Sequence, residues 1–210
     1  MNNFDNNKIE AKLKSECVPC LLDKYINRFP ETAEESLRFK YMQSIMNILA
    51  NASADISAPE IVAEFTKIQK ELFDYKDDFS DVKKYYNSLM LSFENTLQSN
   101  LDKSNEPLKL ALRYSMLGNY IDFGAMNNVN ESKLLEMIDD AINLPCNDNE
   151  FKNMLNDISK AKNLVYLTDN CGEIVMDKLL IRSILKEFPN LNATAIVRGL
   201  PVLNDVTMED

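Results

Sequence analysis

Residues 163–174, NLVYLTDNCGEI, join a short apolar run to a polar turn that contains a glycine. The apolar run predicts a buried β-strand, and the spacing of apolar residues over 174–188 predicts a helix after the turn. A second apolar run, ATAIV at 193–197, follows and ends in another polar turn, RGLPVLND at 198–205. Strand, helix and strand in this order form a βαβ unit, whose strands are expected to lie parallel.

Both turns follow the carboxyl ends of the predicted strands, which is where parallel sheets bind their ligands. The first turn carries Asp169 and Asn170, and the second carries Asn204 and Asp205. Carboxylate and amide oxygens suit Mg²⁺, Mn²⁺ or a similar divalent ion. The sequence therefore predicts a metal site at this edge. The alternative is an ordinary strand-to-helix turn, in which Asp and Asn cap the helix.

The composition limits the chemistry that is available. The chain has 210 residues, a net charge of −10 and no histidine. The missing histidine excludes Ser-His-Asp and Cys-His catalysis, as well as His-ligated zinc. Acid–base chemistry must come from carboxylates, Lys, Tyr, Cys or metal-bound water. The negative charge, without a basic cluster, argues against a nucleic-acid partner.

Nothing in the sequence predicts a membrane segment. No apolar run approaches membrane-spanning length. Residues 1–16 are polar and lack the apolar core of a signal peptide. We therefore expect a cytoplasmic protein.

The four cysteines, Cys17, Cys20, Cys146 and Cys171, are not expected to form a disulfide framework in such a protein. One Cys-x-x-Cys and two distant cysteines leave a Cys₄ zinc site or a redox pair open. Structural zinc sites usually use two closely spaced pairs, so buried or incidental thiols are the interpretation we favour.

Most of the chain before the βαβ unit shows the apolar spacing of packed helices. The pattern predicts helices over 31–50, 58–75, 80–98, 107–117 and 132–142. A helical bundle is the simplest interpretation. The pattern changes at about 150–162, so we predict a helical domain over 1–160 and the start of an α/β domain over 161–210.

Several segments resemble the damage-control phosphatase family, metal-dependent phosphatases long catalogued as a domain of unknown function. The longest are TDNCGEIVMDK at 168–178 and RGLPVLNDVT at 198–207. GNYIDF at 118–123 is similar to the family's Gly-Asn-x-x-Asp segment, and CVPC at 17–20 resembles the Cys-x-x-Cys of its mainly prokaryotic branch. The matches occur in the family's order, from residue 17 to the end.

The resemblance implies an N-terminal helical bundle beside a Rossmann-like α/β domain, which is an α+β multidomain protein. Two strands do not make a stable sheet by themselves. Family members continue through further strands and helices, so we expect the α/β domain to be truncated here. Residues 207–210, TMED, predict the start of a further helix.

The resemblance also assigns roles to the residues of the two turns. It places metal ligation on Asp169, Asn170 and Asp205. Asp169 is expected to lie closest to the chemistry, and the sequence leaves open whether it acts as a ligand alone or as a nucleophile.

Five further residues are candidates for contact with the substrate: Gly172, Glu173, Asn119, Asp122 and Arg198. Gly172 would let the chain turn tightly and bring N–H groups near a phosphate. The alternative for Glu173 is an acid in the first helical turn. For Asn119 and Asp122 it is a cap on the preceding helix.

Four residues near these candidates are expected to have structural rather than catalytic roles. Asp177 and Lys178 are expected on a solvated helix face, although the family motif includes them. Gly118 would help to end its helix. Cys171 is interpreted as a tolerated small side chain.

Together these features predict a metal-dependent phosphatase for a small phosphorylated metabolite, such as a sugar phosphate or a damaged cofactor precursor. Its cofactor would be a divalent ion, Mn, Mg, Co or Ni. The alternative is a non-enzymatic module with a degenerate α/β domain that binds a ligand or a partner. The two acidic turns favour the enzyme, because a binding module does not need them. The sequence does not indicate an oligomeric state.

Overall fold

The computed structural model describes residues 12–74, 79–120, 131–199 and 203–210, with the backbone alone at 119, 120 and 131. Its elements, in chain order, are α1 (Cys17–Tyr25), α2 (Glu35–Asn51), α3 (Ala58–Phe73), α4 (Ser80–Lys103), α5 (Pro107–Tyr120), α6 (Glu131–Asp140), a 3₁₀ helix (Ala141–Asn143), α7 (Asp148–Lys160), β1 (Asn163–Leu167), α8 (Glu173–Glu187) and β2 (Asn192–Ile196). The mostly helical content with a small parallel sheet confirms the α+β class. No helix among the described residues has the length and apolar character needed to cross a membrane.

The chain divides into two compact units, Met1–Asp77 and Asp78–Asp210. In the first unit, helices α1, α2 and α3 pack against one another. Their shared core is aromatic and aliphatic, and consists of Leu21, Tyr25, Tyr41, Ile45, Ile61 and Phe65. A capping box between Ser57 and Glu60, with proline in the first turn, begins α3.

In the second unit, α8 packs against α4 and α5 and covers one face of the sheet. Strands β1 and β2 pair in parallel, with Asn163 opposite Asn192 and Leu167 opposite Ile196. The predicted βαβ unit and its parallel strands are therefore confirmed. Apolar residues of α8, such as Met176 and Leu179, are buried completely between the sheet and the helices.

The compact units do not divide at the predicted boundary. Secondary structure does change near residue 160, between α7 and β1. However, α4 and α5 pack against α8 and belong to the same unit as the sheet. The cause is the apolar face of α8, which is buried against these helices. The assignment of 1–160 and 161–210 as domains of the whole protein stays a prediction.

The prediction that the first strand is buried is wrong for one of its faces. Leu164 and Tyr166 pack against the core, whereas Val165 and Leu167 are 58% and 73% exposed. Successive side chains of a strand point to opposite faces of the sheet. Helix α8 covers one face, and among the described residues no element covers the other.

Candidate metal and phosphate site

Main-chain hydrogen bonds join the two predicted turns directly. Asn170 and Asp205 form an isolated antiparallel bridge. The N–H of Cys171 donates to the Asn204 carbonyl at 2.9 Å, and the N–H of Val206 donates to the Asp169 carbonyl at 2.8 Å. The structure therefore brings together all the oxygen-bearing turn residues that the sequence proposes as metal ligands, at the carboxyl ends of both strands.

Gly172 makes the sharp turn between the first strand and α8. Its φ and ψ are 88° and −54°, a conformation in which a residue with a side chain is strained. Its N–H donates to Oδ1 of Asn87, 2.6 Å away. The expected tight turn is present. A contact between Gly172 and a substrate stays a prediction.

The two metal-ligand candidates of the first turn differ in exposure. Asp169 is exposed, and Asn170 is buried. The backbone N and Nδ2 of Asn170 lie 3.5 and 3.4 Å from Oε2 of Glu173, which is also buried. An amide that donates through Nδ2 keeps Oδ1 as an acceptor, and this is the atom that a hard cation requires. Glu173 therefore orients a proposed ligand.

The second turn holds a buried carboxylate beside a cation. Nε of Arg198 donates to Oδ2 of Asp205 at 2.6 Å. Next to it, Asn204 is buried, and among the described residues its Nδ2 has no hydrogen-bond partner. Most buried polar groups have a partner, so this unsatisfied N–H donor marks a position where water or an anionic oxygen fits.

The donor set fits a divalent ion in part. Asp169, Asn170 and Asp205 supply hard oxygens from two turns that are hydrogen-bonded to each other. The carboxylate of Asp205 is also bound to the guanidinium of Arg198. A metal ion would have to share the carboxylate with this guanidinium or displace the guanidinium. Over the part of the chain that the structure describes, no three His, Cys, Asp or Glu side chains form a metal-binding cluster.

Asp177 does not lie on a solvated helix face, so that prediction is wrong. It is only 1% exposed. Its Oδ1 accepts hydrogen bonds from the hydroxyls of Ser115, at 2.7 Å, and Tyr166, at 2.6 Å. Burial raises the pKa of Asp177 above its usual range, and the two hydrogen bonds oppose this rise.

The helical spacing of α8 contains a signal for this burial. Glu173, Asp177, Leu180 and Ile184 recur at intervals of four, three and four residues, which places them on one face of a helix. The apolar members of this series mark the face as buried. Lys178 points elsewhere and pairs with Glu94 at 2.8 Å.

Gly118 does not end its helix, because α5 continues to Tyr120. A Cβ at this position would lie 3.0 Å from Cγ and 3.3 Å from Cα of Glu173. The glycine therefore lets α5 approach the start of α8 closely. The side chain of Asn119 and the whole of Asp122 lie outside the described residues.

The cysteines are all free, and they differ in exposure. Cys20 is exposed, Cys17 and Cys146 are half-buried, and Cys171 is buried. The pKa of the Cys171 thiol is raised to about 11, first by burial and then by the carboxylate of Asp210. At neutral pH this thiol is protonated, which does not favour binding of a soft metal.

Two polar residues of α4 that belong to none of the sequence motifs contact the first turn and the segment after the second turn. Asn87 binds Gly172, and Nζ of Lys83 lies 2.6 Å from Oδ2 of Asp210. The sequence signal for these two residues is their position on the buried face of α4. Lys83 and Asn87 are four residues apart, and Met90, three residues further on, is buried in the core. Polar residues therefore occupy the apolar stripe of this helix.

Comparison with known proteins agrees with the motifs. Residues 13–210 match the family model described as the damage-control phosphatase ARMT1-like domain. The chain is 29% identical over 207 residues to an uncharacterized protein of Methanocaldococcus jannaschii, covering 95% of this chain and 66% of that protein. It is 30% identical over 205 residues to a damage-control phosphatase of Archaeoglobus fulgidus, covering 95% and 69%.

A solved structure has the same fold. The crystal structure of a DUF89 family protein from Pyrococcus horikoshii matches with a TM-score of 0.73 and 24% identity, covering 95% of this chain and 68% of that one. The chain spans about two thirds of the length of these relatives. The resemblance seen in its motifs is confirmed, and the chain belongs to the damage-control phosphatase ARMT1-like domain family.

Proposed function

We propose that this protein is a metal-dependent phosphatase that acts on a small phosphorylated metabolite, such as a sugar phosphate or a damaged cofactor precursor. The observation that carries the proposal is the bridge between Asn170 and Asp205. It joins two oxygen-bearing turns at the carboxyl ends of parallel strands, where such folds bind their ligands. Relatives named damage-control phosphatase support the reaction class.

Asp169, Asn170 and Asp205 would hold the metal, which would be Mn, Mg, Co or Ni. A bound divalent ion lowers the pKa of water and offsets charge on a phosphoryl group. The residues around these ligands have supporting roles. Glu173 orients the Asn170 amide, and Arg198, with its guanidinium held on Asp205, supplies a cation at the edge of the site for a phosphate oxygen.

The proposed ligands differ in exposure, and this difference suggests different roles for them. Asp169 is exposed, so its carboxylate is accessible to a substrate as well as to a metal ion. Asp205 and Asn170 are buried and fixed by neighbouring groups. We infer that Asp169 acts nearest to the phosphoryl group, as a ligand or as the nucleophile. The βαβ unit is proposed to belong to a Rossmann-like domain in the whole protein.

The test is Mn²⁺ binding by calorimetry in the parent protein and in Asp169→Ala. The main-chain carbonyl of Asp169 makes the bond to Val206, and the side chain is exposed, so we expect the variant to stay folded, which urea unfolding verifies. The matched control is Asp157→Ala, which removes an exposed carboxylate from α7. We expect Mn²⁺ binding in the parent and the control, and none in Asp169→Ala.

Hydrolysis of an aryl phosphate and of small sugar phosphates, with Mn²⁺ and with chelator, tests the reaction. Activity that needs Mn²⁺ and is lost in Asp169→Ala is the expected result. Equal Mn²⁺ affinity in Asp169→Ala and the parent would show that the ligand assignment is wrong. Mn²⁺ binding without hydrolysis of any phosphate ester would favour the binding module.

A further inference from the structure

Helix α4 presents two polar side chains to the first turn and to the segment after the second turn. Lys83 is 5% exposed, and Asn87 is half-buried one helical turn further on. Residues four apart lie on the same face of a helix, so both side chains point the same way. A lysine is rarely buried to this degree unless it has a charged partner. From a single helix, the pair therefore contacts the first turn and the segment that follows the second turn.

Asn87 binds the first turn at its most constrained point. Its Oδ1 accepts the N–H of Gly172, the residue with positive φ that begins α8. That N–H has no partner within the helix, because the first N–H groups of a helix lack an internal acceptor. Asn170 is two residues before this contact. The hydrogen bond therefore fixes the path of the chain directly after two of the proposed ligands.

Lys83 binds the segment that directly follows the second turn, through Asp210. Its Nζ lies 2.6 Å from Oδ2 of Asp210, and both side chains are largely buried. The same oxygen accepts the N–H and the hydroxyl of Thr207, at 2.9 and 2.8 Å. These contacts belong to a turn, where the sequence predicts the start of a helix. Thr207 is two residues after Asp205, so the chain on that side of the ligand is also held to α4.

We propose that Lys83 and Asn87 are positioning residues that together set the distance between the two ligand-bearing turns. The inference rests on the proposed function, because it treats the turns as a metal site. The main-chain bonds between the turns fix their register, and α4 holds Gly172 in the first turn and Asp210 in the segment after the second turn. A buried ion pair contributes little net stability, because desolvation offsets much of the attraction. We therefore assign the ion pair a role in positioning the chain next to the turns rather than a role in stability.

The experiment measures Mn²⁺ affinity by calorimetry in Asn87→Leu and Lys83→Met. Removing a group that orients metal ligands typically weakens metal binding about 10–100-fold, and we expect at least the lower figure for each variant. The matched controls are Ser88→Ala and Lys84→Met, exposed neighbours on the same helix, which should bind like the parent. Circular dichroism and urea unfolding verify that each variant is folded during the titration.

Asn87→Asp is the rescue variant, because it keeps an acceptor oxygen for the Gly172 N–H. We expect it to bind Mn²⁺ at least as tightly as the parent. Ser88→Asp adds the same charge at an exposed neighbouring position and should leave the affinity unchanged, which separates the hydrogen bond from the charge. If Asn87→Leu does not fold, the inference is tested by Lys83→Met and by the comparison of Asn87→Asp with Ser88→Asp.

The outcomes separate the inference from the proposed function. A parent protein that binds no Mn²⁺ would overturn both. A parent that binds Mn²⁺, with folded Asn87→Leu and Lys83→Met variants that bind equally well, would overturn the inference and leave the proposed function standing. Equal losses in the exposed controls would also overturn it, because the effect would then not depend on contact with the turns. Weaker binding in the two variants alone, with rescue by Asn87→Asp, supports it.

Discussion

The ion pair between Arg198 and Asp205 leads to a prediction with an unusual direction. The guanidinium is 57% exposed, whereas the carboxylate is 11% exposed and is a proposed metal ligand. Without a metal ion, Arg198 offsets the charge of this carboxylate. A divalent ion on Asp205 would be repelled by the neighbouring guanidinium. Arg198→Met should therefore strengthen metal binding, although it removes a residue of the proposed site.

The size of the effect follows from the charges and their exposure. Unit charges 4 Å apart interact by about 1 kcal/mol in bulk water, so a divalent ion and a guanidinium repel by roughly 2 kcal/mol at that separation. Because the exposed guanidinium can turn toward solvent, we expect about half of this repulsion energy to remain in the folded protein. A gain of about 1 kcal/mol corresponds to a roughly fivefold lower Kd for Mn²⁺. Because Arg198→Met leaves the buried carboxylate without its cation, it should lower the free energy of unfolding by roughly 1–3 kcal/mol.

Calorimetric titration with Mn²⁺ at low salt measures the affinity, and urea unfolding without metal measures the stability. Arg182→Met is the matched control, because Arg182 is an exposed arginine that pairs with Glu94 away from the turns. It should leave the Kd unchanged. A folded Arg198→Met that binds Mn²⁺ no more tightly than the parent would refute the reasoning, since the guanidinium would then not compete for Asp205. In the phosphatase assay, the same variant should raise KM, because the proposed contact between Arg198 and a phosphate oxygen would be lost.

Three further predictions follow from burial. Because burial raises the pKa of Asp177, the folded state holds its proton to higher pH than the unfolded state. Stability should therefore fall as pH rises above the ordinary range of an aspartate, and urea unfolding across that range should lose this slope in Asp177→Asn. Iodoacetamide should label Cys20 in the native protein well before Cys171, whose pKa is about 11, and equal rates would contradict the burial. Gly118→Val should lower the free energy of unfolding by roughly 1–3 kcal/mol, whereas Gly199→Val, whose added Cβ meets no described atom within 4 Å, should change it little.

The helices were predictable because their apolar residues recur at helical spacing. The predicted segments 58–75 and 80–98 correspond to Ala58–Phe73 and Ser80–Lys103, and the differences lie at the ends. The first of these helices stops early because Asp74 adopts a left-handed conformation, with φ of 49°, which spacing does not reveal. The pairing of β1 with β2 and the meeting of their turns followed from the βαβ rule alone.

Features that depend on packing between distant segments could not be predicted in the same way. The spacing of α8 marks the face that carries Asp177 as buried, but the partners that donate to it, Ser115 of α5 and Tyr166 of β1, are not visible in the sequence. The division into compact units also depends on which helices cover α8. Likewise, an apolar strand does not show in advance that one of its faces, with Val165, remains exposed.

Main-chain hydrogen bonds, rather than the side chains of the proposed ligands, hold the two turns together. Asp169 is bonded through its carbonyl to Val206, and Cys171 through its N–H to Asn204, so the backbone holds the turns in place. The ligand side chains are therefore not needed to close them. Gly172, whose conformation other residues adopt only with strain, and Asn87, which satisfies its N–H, belong to this backbone frame. Changes at the carboxylates should alter metal and phosphate binding with little loss of stability, while changes in the frame should affect both.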